Sequence, residues 1–185
     1  EFIDDILEKQ TLPIKMQQEY YEENIHKIAR FKKILKKYNI YMKKEYVINE
    51  VAKYLKTKEE LPAIIYVYSR AGCYKLADSI KQSLFPNGSN AVHTIKKEAI
   101  SILQKKLSNW QEYTETIEFF KIVKRLEKGV AVHHSGVLQV YKEMIEILFA
   151  DKKIPLLIST ETFAVGLNMP VKTCVFTAFQ KYSDK

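Results

Sequence analysis

Near its end this 185-residue chain carries the apolar run Ile154-Pro155-Leu156-Leu157-Ile158, which empties into Thr160-Glu161-Thr162-Phe163-Ala164-Val165-Gly166-Leu167-Asn168-Met169-Pro170. About twenty residues upstream the arrangement has a precedent. Val130-Ala131-Val132-His133-His134-Ser135-Gly136 is again a short apolar strand ending in small polar groups, with an amphipathic helix behind it. A third run, Ala63-Ile64-Ile65-Tyr66-Val67-Tyr68, is continuous in β-branched and aromatic residues and turns out through Ser69-Arg70-Ala71-Gly72. Uninterrupted apolar strands of this length suit a parallel sheet covered on both faces. In open sheets of that kind ligands sit at the carboxyl ends of the strands, and free backbone N–H groups with Thr and Ser hydroxyls there suit phosphate oxygens.

The segments between the runs complete the pattern. Helical spacing is expected from about Val47 to Leu55, from near Cys73 to Leu84, from Val92 to Leu107, from Tyr113 to Leu126, and after His134. In the last of these Leu138, Tyr141, Ile145 and Leu148 fall on one face, expected to lie on the sheet. A final strand is expected from Thr173 to Ala178. The order is that of an α/β parallel-sheet domain. Before it, Phe2 to Glu8 reads as a short helix stopped by Leu12-Pro13, and a longer helix follows with Tyr21, Ile25, Ile28 and Leu35 along one stripe.

Composition narrows the class. There is no twenty-residue apolar run and no signal-peptide order at the N-terminus, so a soluble intracellular protein is expected, nucleus and cytoplasm both open. Cys73 and Cys174 lack metal-ligand spacing and are expected as reduced, mostly buried thiols. A net charge of +8 suits a polyanionic partner. Between Lys27 and Lys44 stand eight basic residues and no acid, interleaved with Phe31, Tyr38 and Tyr41. That stretch suits either a phosphate-tracking arm with stacking rings or a solvated helix face with its aromatics turned inward.

His133-His134-Ser135-Gly136, the helix Tyr141 to Phe149, and Ser159-Thr160-Glu161-Thr162-Phe163-Ala164-Val165-Gly166-Leu167-Asn168-Met169-Pro170 together resemble the second RecA-like domain of a DExH-box RNA helicase. The branch they resemble is the superkiller and exosome-cofactor one of helicase superfamily two, over roughly residues 45 to 180. The resemblance implies a RecA-like parallel sheet flanked by helices at residues 46–185, cut off before the family's arginine-finger element, with a helical lead-in or linker at 1–45. Where the family usually continues with two leucines and a proline, this chain has Val137-Leu138-Gln139.

By the same resemblance, Ser69, Arg70, His134, Ser135, Gly136, Thr160, Glu161 and Thr162 would contact nucleic acid, while Gly166, Leu167 and Asn168 would face an ATP cleft. His133 is expected to be the more structural histidine, one imidazole at the strand end packing and the other facing the cleft. No metal site is expected, since neither histidine has a third ligand at suitable spacing. The plainer alternative for Ser69 and Arg70 is a helix cap and a surface ion pair. The sequence has no Gly-x-x-x-x-Gly-Lys-Ser/Thr loop and no Asp-Glu magnesium box. Its three arginines are Arg30, Arg70 and Arg125, so none lies near the C-terminus. The glycine loop and the magnesium box are therefore expected elsewhere, and the resemblance implies that a first RecA-like domain of the same polypeptide would hold most of the ATP and Mg2+ contacts, so this chain alone is expected to be inactive. Single-stranded RNA, that first domain and subunits of an RNA-decay or processing complex are the expected partners, with no membrane. Two other readings remain open: a DNA helicase of the same superfamily, and a non-catalytic helicase-like scaffold.

Overall fold

The computed structural model describes residues 43–160 and 169–178, with scattered positions between 23 and 38. The expected helix at 2–8, the stripe residues Tyr21, Ile25, Ile28 and Leu35, and the loop residues Glu161, Thr162, Gly166, Leu167 and Asn168 lie outside the described residues. Two compact units divide the chain, Glu1–Lys43 and Lys44–Lys185. In the first, the described positions from 23 to 37 are helical and solvent-exposed, with Lys27 Nζ 3.0 Å from Glu23 Oε1 one turn away.

The second unit runs α1 (Lys44–Thr57), β1 (Ala63–Tyr66), α2 (Arg70–Ser79), α3 (Ala91–Lys106), α4 (Trp110–Thr114), α5 (Ile117–Leu126), β2 (Val130–His133), α6 (Gln139–Ala150), β3 (Leu156–Ser159) and β4 (Thr173–Phe176). The strands form one sheet in the order β2-β3-β1-β4, with every pair parallel. Ala63, Leu156, Val130 and Thr173 share one rung of the register.

Alternation along the strands sorts the core into two layers. Ile64, Ala131 and Leu157 point to the face covered by α3, α5 and α6, through Ile95, Ala99, Leu103, Phe119, Leu126, Tyr141 and Ile145. Ala63, Ile65, Val130, Val132, Leu156 and Ile158 point to the other face, covered by α1 and α2 through Ile48, Ala52, Leu55, Cys73, Leu76 and Ala77. Both faces are dry, which is why the strands read as unbroken apolar runs. Each Leu or Ile so buried is worth about 1.5–3 kcal/mol relative to exposure. The fold is the expected RecA-like α/β arrangement.

Three expectations about its elements are corrected. The helix expected from Tyr113 to Leu126 is two, because Thr116 adopts extended backbone (φ −73°, ψ 148°) and its hydroxyl accepts the Phe119 N–H at 3.0 Å, starting α5 afresh. The helix expected to reach Leu84 stops at Ser79, where Asn49 on α1 donates to the Ser79 carbonyl (2.8 Å) and accepts the Lys81 N–H (3.0 Å). Leu138 does not join Tyr141, Ile145 and Leu148 on the sheet; it precedes α6 as its cap residue and is 49% exposed. Cys73 is buried as expected, but Cys174 is exposed, because it lies on edge strand β4, where positions alternate between half-buried and exposed.

Among the described residues no helix is long and apolar enough to cross a membrane, and no three His, Cys, Asp or Glu side chains are grouped to hold a metal ion.

Candidate nucleic-acid interface

A parallel sheet delivers all its strand ends to one edge, so the segments after β1, β2 and β3 meet there. Two backbone links lock the middle of this edge: the Val67 N–H donates to the Ser159 carbonyl at 2.8 Å, and the Thr160 N–H approaches the His133 carbonyl at 3.4 Å. The Ser159 hydroxyl donates to that same His133 carbonyl at 2.8 Å. Ser159 is fully buried and Thr160 is 8% exposed, so Thr160 sits at the base of the loop it opens.

The turn after β1 is a helix start. Ser69 is extended (φ −145°, ψ 143°) and its Oγ accepts the Gly72 N–H at 3.0 Å, capping α2. A Cβ at Gly72 would stand 2.6 Å from that Oγ and 2.9 Å from Val67 Cγ1, so the cap closes only over a glycine. Arg70, the first residue of α2, is exposed and donates from Nη2 to Ser135 Oγ at 2.7 Å. The plainer sequence alternative is thus half realised: Ser69 is a cap, whereas Arg70 meets a hydroxyl in the β2 loop instead of a carboxylate.

The two histidines point apart as alternation requires, one toward α6 and one toward α2, but both are buried, so the expectation that one imidazole faces the cleft is corrected. His133, 8% exposed, meets Glu146 Oε1 of α6 through Nε2 at 2.7 Å. Burial holds its pKa below the ordinary histidine value, against the opposing pull of the Glu146 carboxylate. His134 is 2% exposed on the α2 side, with its ring T-shaped against Tyr74 at a centroid separation of 4.8 Å. Its Nδ1 accepts the Gly136 N–H at 3.0 Å, which puts the ring proton on Nε2. Nε2 has no hydrogen-bond partner among the described residues. Burial, then the neighbouring Arg70 and His133, lower the pKa of His134 as well. Both imidazoles are therefore held neutral near pH 7.

Of the segment 134–136, then, Ser135 and the Gly136 backbone reach solvent, and the His134 ring lies beneath them. A Cβ at Gly136 would come within 3.2 Å of the His134 ring and 3.3 Å of Arg70 Cδ, a measure of how closely the two loops are apposed. The structure brings Ser69, Arg70, His134, Ser135, Gly136 and Thr160 to one edge of the sheet; Glu161, Thr162, Gly166, Leu167 and Asn168 lie outside the described residues.

Three contributors escape a reading of the sequence alone. Tyr74 touches His134, and the Arg125 guanidinium of α5 lies over the Tyr74 ring, 4.8 Å from its centroid. Asp78 holds Arg125 through both oxygens, at 2.7 and 3.1 Å. One signal was available: Arg70, Tyr74 and Asp78 recur at four-residue spacing, which puts them on one face of α2. Arg125, forty-seven residues beyond Asp78, gave none.

Chemically the described edge offers an exposed cation held beside a hydroxyl, which suits the oxygens of a phosphodiester. Among the described residues no three His, Cys, Asp or Glu side chains gather at this edge to hold a metal ion.

No family model matches the chain. Curated relatives do. The antiviral helicase SKI2 of Saccharomyces cerevisiae is 36% identical over 135 residues, covering 72% of this chain and 10% of that protein. The ATP-dependent RNA helicase mtr4 of Schizosaccharomyces pombe is 34% identical over 140 residues, 75% of this chain and 12% of the relative. The DExH-box ATP-dependent RNA helicase DExH9 of Arabidopsis thaliana is 39% identical over 126 residues, 65% of this chain and 12% of the relative. The chain spans about a tenth of the length of these proteins.

Proposed function

Because the chain belongs, over about seven tenths of its length, to the superkiller and exosome-cofactor branch of DExH-box helicases, we propose that it is part of an ATP-dependent RNA helicase acting in RNA decay or processing. Within that protein residues 46–185 would be most of the second RecA-like domain and residues 1–45 a helical lead-in. The strand-end loops would hold the sugar-phosphate backbone of single-stranded RNA, with Arg70 and Ser135 as the paired contact, Ser69, the Gly136 backbone and Thr160 beside them, and Glu161 and Thr162 extending the row. His134 serves this reading from beneath the loop. Gly166, Leu167 and Asn168 would face the nucleotide.

The observation that carries the reading is the Arg70–Ser135 contact at 2.7 Å, which joins residues sixty-five apart into one phosphate-sized donor set at the sheet edge. A basic chain with net charge +8 adds the long-range attraction that RNA binding draws on. Backbone contacts imply little sequence preference.

The residues of this chain do not suffice for ATP and Mg2+. It has no phosphate-cradling glycine-lysine loop and no acidic box, and no carboxylate cluster stands at the described edge. By the family resemblance, ATP and Mg2+ would be held mainly by a first RecA-like domain of the same polypeptide, which would supply the phosphoryl-transfer chemistry when they are bound. The chain by itself hydrolyses no ATP. RNA is preferred to DNA as the substrate because the relatives are named as RNA helicases. The test is ATP hydrolysis by the full-length protein with single-stranded RNA, single-stranded DNA or neither. Stimulation by RNA is expected, and equal stimulation by DNA would overturn the choice of strand.

A further inference from the structure

We propose that Tyr74 is a positioning residue for the RNA-facing loop: its ring, backed by Arg125, fixes the His134 imidazole, and that imidazole holds the Gly136 N–H and so sets Ser135 beside Arg70. This inference rests on the RNA reading above and names a residue that touches no RNA itself.

The contacts form an unbroken path. Asp78 grips Arg125 through two hydrogen bonds, at 2.7 and 3.1 Å, and Arg125 stacks its guanidinium on Tyr74 at 4.8 Å. Tyr74 meets the His134 ring at 4.8 Å and an interplanar angle of 86°. His134 Nδ1 accepts from the Gly136 N–H at 3.0 Å, and the next link is Ser135 Oγ to Arg70 Nη2 at 2.7 Å. Both ends are anchored on α2, which carries Arg70, Tyr74 and Asp78 at successive turns of one face. The helix that presents the cation to the ligand therefore also props the loop that presents the hydroxyl.

A buried imidazole with one hydrogen bond has a rotational freedom that packing must remove. Within this arrangement the T-shaped contact with Tyr74 supplies that constraint, and the guanidinium behind the ring keeps Tyr74 itself in place. The neutral tautomer is essential, because a proton on Nδ1 would abolish the acceptor that Gly136 uses. The charged and titratable groups around His134 are Arg70 and Tyr74 from α2, His133 from β2 and Lys142 from α6, with Arg125 of α5 behind Tyr74. The cations all oppose protonation of His134.

The test uses the full-length helicase, with ATP hydrolysis measured against single-stranded RNA concentration. Tyr74→Leu removes the ring and is expected to raise the RNA concentration for half-maximal stimulation roughly three- to tenfold, with kcat at saturating RNA little changed. Tyr74→Phe retains the ring and is expected to behave as wild type. Arg125→Met leaves Tyr74 in place but removes its backing, and is expected to shift the RNA requirement about twofold in the same direction; it carries the test if Tyr74→Leu folds poorly.

Arg70→Ala separates this inference from the reading beneath it. If Arg70→Ala raises the RNA requirement while Tyr74→Leu and Arg125→Met leave it untouched, the positioning role is overturned and the RNA site stands. If Arg70→Ala itself has no effect, the RNA reading fails and the inference falls with it. Tyr74→Phe as impaired as Tyr74→Leu, or a loss confined to kcat, would also overturn it.

Discussion

Two adjacent turns at the edge of this sheet are stabilised in different ways. The turn after β1 holds itself: Ser69 caps α2 through the Gly72 N–H, and everything it needs lies within four residues. The turn after β2 has local links as well, the Gly136 N–H to His134 Nδ1 and the Val137 N–H to the His134 carbonyl. The His134 ring in turn packs on a tyrosine of α2 that an arginine of α5 covers, so this turn also leans on distant elements. Local capping makes a turn that survives small changes elsewhere. A turn propped by tertiary contacts couples its position to several elements at once, which suits a loop that must meet a ligand in register with its neighbour. Arg70 and Ser135, one from each turn, meet at 2.7 Å.

The largest expected effect comes from breaking the point where the turns meet. Arg70→Ala removes both the cation and the hydrogen bond to Ser135, and is expected to weaken single-stranded RNA binding by the full-length protein about tenfold or more, since charged hydrogen bonds contribute roughly 1.5–3 kcal/mol. The slope of log affinity against log salt should fall by about 0.7, one phosphate contact on a single strand. Binding titrations at several salt concentrations measure both, and an unchanged slope would count against Arg70 as a phosphate contact.

Gly136→Val is expected to come next. Its Cβ would press on the His134 ring at 3.2 Å and on Arg70 Cδ at 3.3 Å, and its branched methyl groups would crowd them further. A several-fold loss of RNA affinity with little loss of thermal stability is expected, because the strain falls on an exposed loop and not on the core. A wild-type affinity would show that the propped turn is looser than its contacts imply.

Acid separates the turns without mutation. His134 has a pKa below the ordinary value of about 6.5, so the support it gives is fully present above that pH and is lost as pH falls through the lowered pKa and Nδ1 takes up a proton. Buried His133 shifts the same way and adds to the loss. The Ser69 cap contains no titrating group. As pH is lowered from 7.5 through the lowered His134 pKa, the Gly136 amide should therefore lose protection from hydrogen exchange, corrected for intrinsic rate, while the Gly72 amide keeps its own. Parallel loss at both amides would remove the distinction between them.

The smallest effect belongs to the self-capped turn. Ser69→Ala is expected to cost about 1 kcal/mol of stability, the usual loss of an N-cap, measurable by denaturant unfolding, with a modest rise in RNA requirement. A loss of RNA binding as large as that of Arg70→Ala would mean that the Ser69 hydroxyl chiefly serves the ligand.

What could be read from the sequence follows the same division between local and distant causes. The strands were legible because both sheet faces are dry and their apolar runs unbroken. The Ser69 cap could be weighed because serine before a helix has a local meaning; strand alternation gave the opposite directions of His133 and His134, but not that α2 covers His134 and buries it too. The break at Thr116 was missed because the apolar spacing continues across it, and only the hydroxyl's bond to the Phe119 N–H, with Tyr141 reaching Thr116 Oγ1 at 2.7 Å, marks the new helix. The early end of α2 was missed because Asn49, thirty residues away, satisfies its last groups. Leu138 was expected inside on helical spacing and Cys174 on residue type, yet one caps a helix and the other lies on an edge strand. For the site, Arg70 and Ser135 were legible as donors, but their direct contact and the Tyr74–Arg125–Asp78 support were not, since each depends on which helix lies against which strand.

The central claim is that the two turns receive RNA together. It is tested most directly by amide hydrogen exchange on the full-length protein with and without single-stranded RNA. Protection gained by residues 69–73 and 134–137 in the same titration, with residues 173–176 of β4 unchanged, is the predicted result. Saturating RNA that leaves both turns exchanging as they do in the free protein would contradict it.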